Sequence, residues 1–303
     1  MTSLFARPLL AVAALVALPA HAALNVVACE PEWASLAREL GGDGVNVTST
    51  TTALQDPHHI EARPSLIARM RNADLLVCTG MELEVGWLPL LIQQSGNARI
   101  AVGAAANFEA GRFVTPLEVP TRVDRSEGDV HAGGNPHIHL DPRNIARVAT
   151  ALAARLAQVD AANAASYQQR LASFSSRWSE AMRKWEQQAQ PLRGMPVVAH
   201  HKNMTYLWSW LGIREVATLQ PKPGVEPSGG YLATLKAQLA QQPAKAVVRG
   251  AYEDPRASQW LSEQSGIPAV VLPFTVGGND KAKDLFGLFD SSVELLLAAG
   301  AAK

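Results

Sequence analysis

The chain has 303 residues, and its 27 basic side chains are matched by 27 acidic ones, so its formal net charge is zero with histidine neutral. A neutral balance supplies no field for nucleic acid or for an anionic membrane surface, and charge therefore argues against both as partners. The length suits one large domain or two lobes of ordinary size.

At the start, Arg7 precedes an apolar run from Leu9 to Leu18 and an Ala20-His21-Ala22 ending. That pattern predicts an export signal over residues 1–22, cleaved near Ala22, and hence a periplasmic mature protein. The run is about half of the roughly 20 residues needed to cross a bilayer, and no later stretch is longer. From Leu24, β-rich runs alternate with helical patterns: LNVVAC then PEWASLARELGG, VNVTST then RPSLIARMRNA, ADLLVCTG then an amphipathic stretch around Trp87, then RIAVGA. Such alternation predicts parallel strands joined by helical crossovers.

Cys29 and Cys78 are the two cysteines, and each follows a strand-like run. In an oxidising compartment an even count predicts a disulfide, and neighbouring parallel strands would bring the pair within reach. Two unpaired buried thiols are the alternative, and a cysteine metal site a more distant one.

The stretch from Arg143 to Gln190 has helix-forming residues without Pro or Gly. It predicts two helices broken near Val159–Ala162, with Asp160 capping the second. A helix over 162–190 would span roughly 40 Å, enough to join two lobes. After Pro191 the alternation resumes with MPVVAHH, REVATLQ, AKAVVRGA and PAVVLPFTV as strands, and a C-terminal helix runs through Leu297. The expected architecture is α/β, with two doubly wound parallel-sheet lobes, 23–161 and 191–303, joined by the long helix. Ligands of such sheets gather beyond the C-terminal ends of the strands.

Seven histidines follow the signal segment, in three clusters: His58 and His59; His131, His137 and His139; His200 and His201. All fall in expected loops or at strand ends. Neutral imidazole is the commonest metal ligand, so this distribution points to a metal. DPHHIEARPS (56–65) and NPHIHLDPRN (135–144) share a Pro-His step before a helix, and proline stiffens the backbone that presents each ring.

These motifs, with VVAHHKNMTYLWSWLGI and GVEPSGGYLATL in order, resemble the substrate-binding proteins of ABC-type zinc and manganese importers, the ZnuA/AztC-like group of cluster A-I. The resemblance covers essentially the whole chain after the signal segment. It implies a protein that captures Zn2+, with Mn2+ as the alternative cargo, and hands it to the importer's membrane permease. A periplasmic zinc chaperone is a further candidate partner, and a monomer is expected. Matched residue by residue, His58 and His137 are the two Pro-His ligands, and His201, five residues before Tyr206, is the third. His59, His139 and His200 match no ligand position, and a structural or supporting role is expected for them.

In the family a carboxylate comes from the last strand-helix turn. Here the acids of LPFTVGGNDKAKD come late, so Asp280 is the expected fourth ligand, with Asp284 or water as alternatives. Three nitrogens and one oxygen favour zinc over manganese. The segment from Arg125 to Asp141 reads either as a capture loop that closes over the metal, with His131 and His139 as auxiliary ligands, or as an ordinary solvated loop. Two further readings compete. His137-x-His139-x-Asp141 superficially matches the metal motif of secreted zinc hydrolases, and a chelate- or haem-binding protein could use the same frame. The hydrolase motif is cut short by Pro142, and a chelate site would leave the histidine clusters unexplained. The long helix predicts local loop rearrangement on metal binding in preference to wide hinge closure.

Overall fold

A computed structural model of the protein describes residues 22–122, 128 and 130–301. The expected signal segment, apart from Ala22, and the stretch 123–127 with residue 129 of the expected capture loop lie outside the described residues.

In the first lobe, β1 (Leu24–Ala28), β2 (Val45–Ser49), β3 (Leu75–Cys78) and β4 (Asn107–Glu109) form one sheet in the order β2-β1-β3-β4. All three pairings are parallel. The helices between them, α1 (Pro31–Gly41), α2 (Pro64–Arg71) and α3 (Leu88–Ser95), each carry proline in the first turn, where a missing N–H costs nothing. Residue Ala28 of β1 lies opposite Val77 of β3, so the next residues along, Cys29 and Cys78, face each other. They form a disulfide with their Cα atoms 4.8 Å apart.

The fourth strand does not form where RIAVGA was expected. Asn97 accepts the Arg99 N–H and starts a 3-10 turn over Ala98–Ile100, and Gly103 then bends left-handed. The strand is delayed to Asn107–Glu109.

Two helices follow, α4 (Pro142–Val159) and α5 (Ala164–Gln188). Between them Asp160 makes no capping bond to a backbone N–H. Its carboxylate instead accepts the Tyr167 hydroxyl at 2.6 Å and the Asn163 amide at 2.7 Å. At 25 residues, α5 runs about 37 Å at the ordinary helical rise.

The second lobe repeats the plan with β5 (Pro196–Ala199), α6 (Thr205–Leu211), β6 (Arg214–Thr218), α7 (Gly229–Gln241), β7 (Ala246–Gly250), α8 (Pro255–Ser265), β8 (Ala269–Leu272) and α9 (Leu285–Ala301). Its strand order is β6-β5-β7-β8, again all parallel. In both sheets the order reverses beside the first strand, and that is where a crevice opens in such folds. In the first lobe the disulfide fills this position. In the second, His200 and His201 follow β5, and Tyr252 and Glu253 follow β7.

One apolar cluster runs through both lobes, from Val26, Trp33 and Leu76 to Val197, Val248 and Leu272. Along α5, Phe174, Trp178 and Trp185 pack edge-on or tilted against Phe286 and Phe289 of α9, and Trp210 of α6 closes the far side. The Trp178 indole also donates to the Pro142 carbonyl at 2.8 Å, which fixes the start of α4. The long helix is thus packed into a seam between the lobes.

Candidate metal centre

A cavity of about 380 Å3 opens between the lobes, and His58, His131, His137 and His201 all lie on its wall. His58 sits in the loop between β2 and α2. Asp56 Oδ1 accepts its backbone N–H at 3.0 Å and lies 2.7 Å from its ring Nδ1, so one carboxylate sets both the turn and the imidazole. Burial pushes the Asp56 carboxyl up, but the hydrogen bond and charge of His58 outweigh it and hold Asp56 below its ordinary value. The Trp87 indole donates to the Pro57 carbonyl at 2.8 Å and secures the same turn.

The other ring nitrogen of His58 is 3.2 Å from Nε2 of His131. The His137 ring is 5.4 Å from that of His58 and 6.0 Å from that of His201, centre to centre. His137 is buried, and its Nδ1 has no hydrogen-bond partner. Burial first, and the neighbouring imidazoles second, hold it neutral well below the ordinary histidine value. Burial likewise drives His201 down to about 3. Two imidazoles kept uncharged at neutral pH are ready electron-pair donors.

The first-lobe loop is tied to the second lobe beside these rings. The Tyr206 hydroxyl donates to the Asn135 carbonyl at 2.9 Å and accepts the Leu117 N–H at 3.0 Å. The Asn135 amide donates to the Lys202 carbonyl at 2.6 Å, next to His201. The spacing from His201 to Tyr206 therefore has a mechanical meaning: the second lobe holds His137 in place through Tyr206.

Asp280 is exposed and is not on the cavity wall. Gly277 does turn left-handed, at φ 91°, but the loop closes on itself: the Gly277 N–H reaches the Ala282 carbonyl, and Asn279 Oδ1 accepts the N–H groups of Lys281 and Ala282. Asp284 caps α9, accepting the Gly287 N–H at 2.7 Å. The strand end itself presents Phe274, whose ring packs edge-on against His137 at 5.3 Å and His139 at 5.1 Å. The structure thus does not bring the expected carboxylate to the imidazoles.

His139 is also off this wall. Its Nε2 faces the Phe274 carbonyl at 2.9 Å and its Nδ1 stands 3.2 Å from Glu32, so it bridges the lobes as a buried support. His59 is exposed. His200 lines the cavity, with a buried Nδ1 lacking a partner, and burial lowers it to about 4.

Sequence reasoning missed Tyr252 and Glu253, which stand 3.4 Å and 3.5 Å from His201 Nε2. The rule that ligands gather at strand ends points to both, since they follow β7 directly. Burial pushes Glu253 up to about 8, partly offset by the Gly250 N–H that it accepts. Among the described residues, the three potential donors already within 4.8 Å of one another are Cys29, Cys78 and Glu84, and the disulfide occupies both sulfurs. A metal in the cavity has therefore to draw the imidazoles together.

The family model described as "Zinc-uptake complex component A periplasmic", ZnuA, matches residues 26–299. The zinc-binding lipoprotein AdcA of Streptococcus pneumoniae (strain ATCC BAA-255 / R6) is 24% identical over 264 residues, covering 82% of this chain and 49% of that protein. The chain thus spans about half the length of AdcA. The manganese ABC transporter substrate-binding lipoprotein PsaA of the same species is 24% identical over 262 residues, covering 83% of this chain and 80% of PsaA. A solved structure titled "Crystal structure of ZnuA" has a TM-score of 0.76, at 22% identity, over 92% of this chain and 100% of its own. That likeness shows the fold: two parallel four-stranded sheets with flanking helices.

Proposed function

Because this chain belongs to the ZnuA family of periplasmic zinc-uptake components, we propose that it captures Zn2+ between its lobes and delivers it to an ABC-type membrane importer. Export through the segment 1–22, residence in the periplasm, a monomeric state and docking on the importer's permease are parts of this reading. So are lobes over 23–161 and 191–303 joined by a helix over 162–190. The observation that carries it is the convergence of five histidines on one cavity, of which we take His58, His131 and His137 from the first lobe and His201 from the second as the ligands. Zn–N bonds of about 2.0–2.1 Å in a tetrahedron put neighbouring nitrogens about 3.3–3.4 Å apart. The 3.2 Å between the His58 and His131 nitrogens fits that edge. In this reading His131 takes the fourth position in place of Asp280.

An all-nitrogen set suits zinc, whereas manganese prefers oxygen. Manganese remains the second reading, supported by Asp56 and Glu253 standing beside His58 and His201 and by the likeness to PsaA. A hydrolase is disfavoured because the His137-x-His139-x-Asp141 spacing disperses: His139 turns toward Glu32, and Asp141 caps α4 by accepting the Arg143 N–H.

Competitive titration with Zn2+ and Mn2+ tests the assignment. One tight zinc per chain is expected, lost in His58→Ala, weakened in His131→Ala and unchanged in Asp280→Ala. Loss in Asp280→Ala as deep as in His58→Ala would restore the carboxylate ligand, and tighter manganese than zinc would change the cargo.

A further inference from the structure

Immediately after β3 the backbone turns left-handed at three consecutive residues, Gly80, Met81 and Glu82, with φ of 74°, 54° and 66°. Glycine accepts such angles freely, but Met81 and Glu82 do not, and strain of this kind persists only where its surroundings impose it. Here they do. The buried Glu84 carboxylate accepts the N–H groups of Thr79 at 2.7 Å and Gly80 at 3.1 Å, and the Leu83 N–H closes on the Gly80 carbonyl. Behind Glu84, Thr79 donates to the buried Glu30, and the Trp33 indole donates to Thr79. On the open side, Met81 lies close against Gly111, and a side chain there would collide with it.

What this turn delivers is the Glu82 carboxylate, whose Oε2 accepts the backbone N–H of Ala132 at 2.7 Å. Ala132 directly follows His131. The carbonyl of His131 is held from the other side by the Gly134 N–H at 3.1 Å. The peptide that joins His131 to Ala132 is thereby held at both its N–H and its carbonyl, while the His131 imidazole stands beside that of His58. A charged acceptor makes the Glu82 bond stronger than a neutral one would be.

We infer that Glu82 is a positioning residue for the metal: the left-handed turn holds its carboxylate under Ala132 so that His131 is pre-set against His58 before metal arrives. This rests on the reading of His131 as a ligand. Without the bond, the loop would have to be ordered during capture, and affinity would fall. Partners that orient a ligand from behind commonly change metal affinity by about 10–100-fold when removed.

The test uses the full mature chain and Zn2+ alone, with affinity measured by competition against a chromophoric chelator. Two variants separate function from folding. Glu82→Gly relieves the left-handed strain while deleting the carboxylate, so it is expected to melt no lower than the parent and yet to bind zinc about tenfold more weakly. Glu82→Gln keeps an acceptor oxygen and is expected to recover part of that loss. The decisive arm is the pair with His131→Ala: if Glu82 acts through His131, adding Glu82→Gly to that variant changes zinc affinity no further. An equal loss in both backgrounds, or no loss in either, overturns the inference. If His131→Ala alone leaves affinity unchanged, it is the four-imidazole reading that fails.

Discussion

Asp56 holds His58 through the backbone and the ring at once, and this fixes which imidazole nitrogen faces the cavity. A ligand oriented in this way loses affinity when its partner goes, even though the ligand itself remains. Asp56→Ala is expected to weaken zinc binding by about 10–100-fold in calorimetric titration, without lowering the melting temperature by more than a surface substitution does. An unchanged affinity would mean that the loop backbone alone orients the ring. That His58, His137 and His201 would meet at one cavity was legible, because each sits in a stiff Pro-His step or at a strand end. The fourth position was not, because a sequence shows that an acid is near a turn and not which way the turn curls. Asn279 decides that, by tying the loop to itself and leaving Asp280 outside. His131 was readable only as a candidate, since its approach to His58 depends on Gly80–Glu82, some fifty residues earlier in the chain.

The strands and helices followed the alternation of branched aliphatics with Pro-initiated helical patterns closely enough to give the fold class and the pairing of Cys29 with Cys78. RIAVGA failed as a strand because a side-chain cap at Asn97 and a left-handed Gly103 outweighed its composition. The disulfide ties the ends of β1 and β3 and closes a loop with a sequence separation of 49. In the chain-entropy model such a closure contributes about 4 kcal/mol. Replacing both cysteines by serine is expected to lower stability by about 2–5 kcal/mol in urea denaturation, with zinc affinity kept, because His131, His137 and His201 stand outside the closed segment and His58, within it, is held by Asp56 and its turn by Trp87. Loss of zinc binding in a variant that still folds would show that the sheet end and the metal loops are mechanically coupled.

Across the whole molecule, the shared apolar cluster and the aromatic seam along α5 leave little freedom for the lobes to rotate. Solution scattering of the empty and zinc-loaded protein is expected to superimpose, with contraction confined to the imidazole loops; a change in overall dimensions would show hinge closure instead. The buried titratable groups set opposite limits on the empty protein. Burial depresses His201 to about 3 and lowers His137, so the unfolded chain takes up protons that the fold refuses, and stability is lost as pH falls from about 6.5. Burial raises Glu84 and Glu215 to about 7 and Glu253 to about 8, so stability present at low pH is lost as pH rises from the ordinary carboxyl range through these values. The two windows overlap, and maximal stability of the empty protein is expected between about pH 4.5 and 6.5, where the opposing slopes cancel. Urea denaturation across pH checks this: Glu84→Gln should reduce the alkaline loss and His201→Phe the acid loss.

The placement of the tryptophans also gives the molecule an optical readout of its own state. Trp178, Trp185 and Trp210 lie in the seam, sheltered from events at the cavity, whereas Trp87 is hydrogen-bonded to Pro57, one residue from His58. Emission from the other six tryptophans should remain as a background, and quenching or spectral displacement on adding zinc is expected from Trp87, whose indole is bonded next to His58. Trp87→Phe would then silence the signal while leaving the cargo bound.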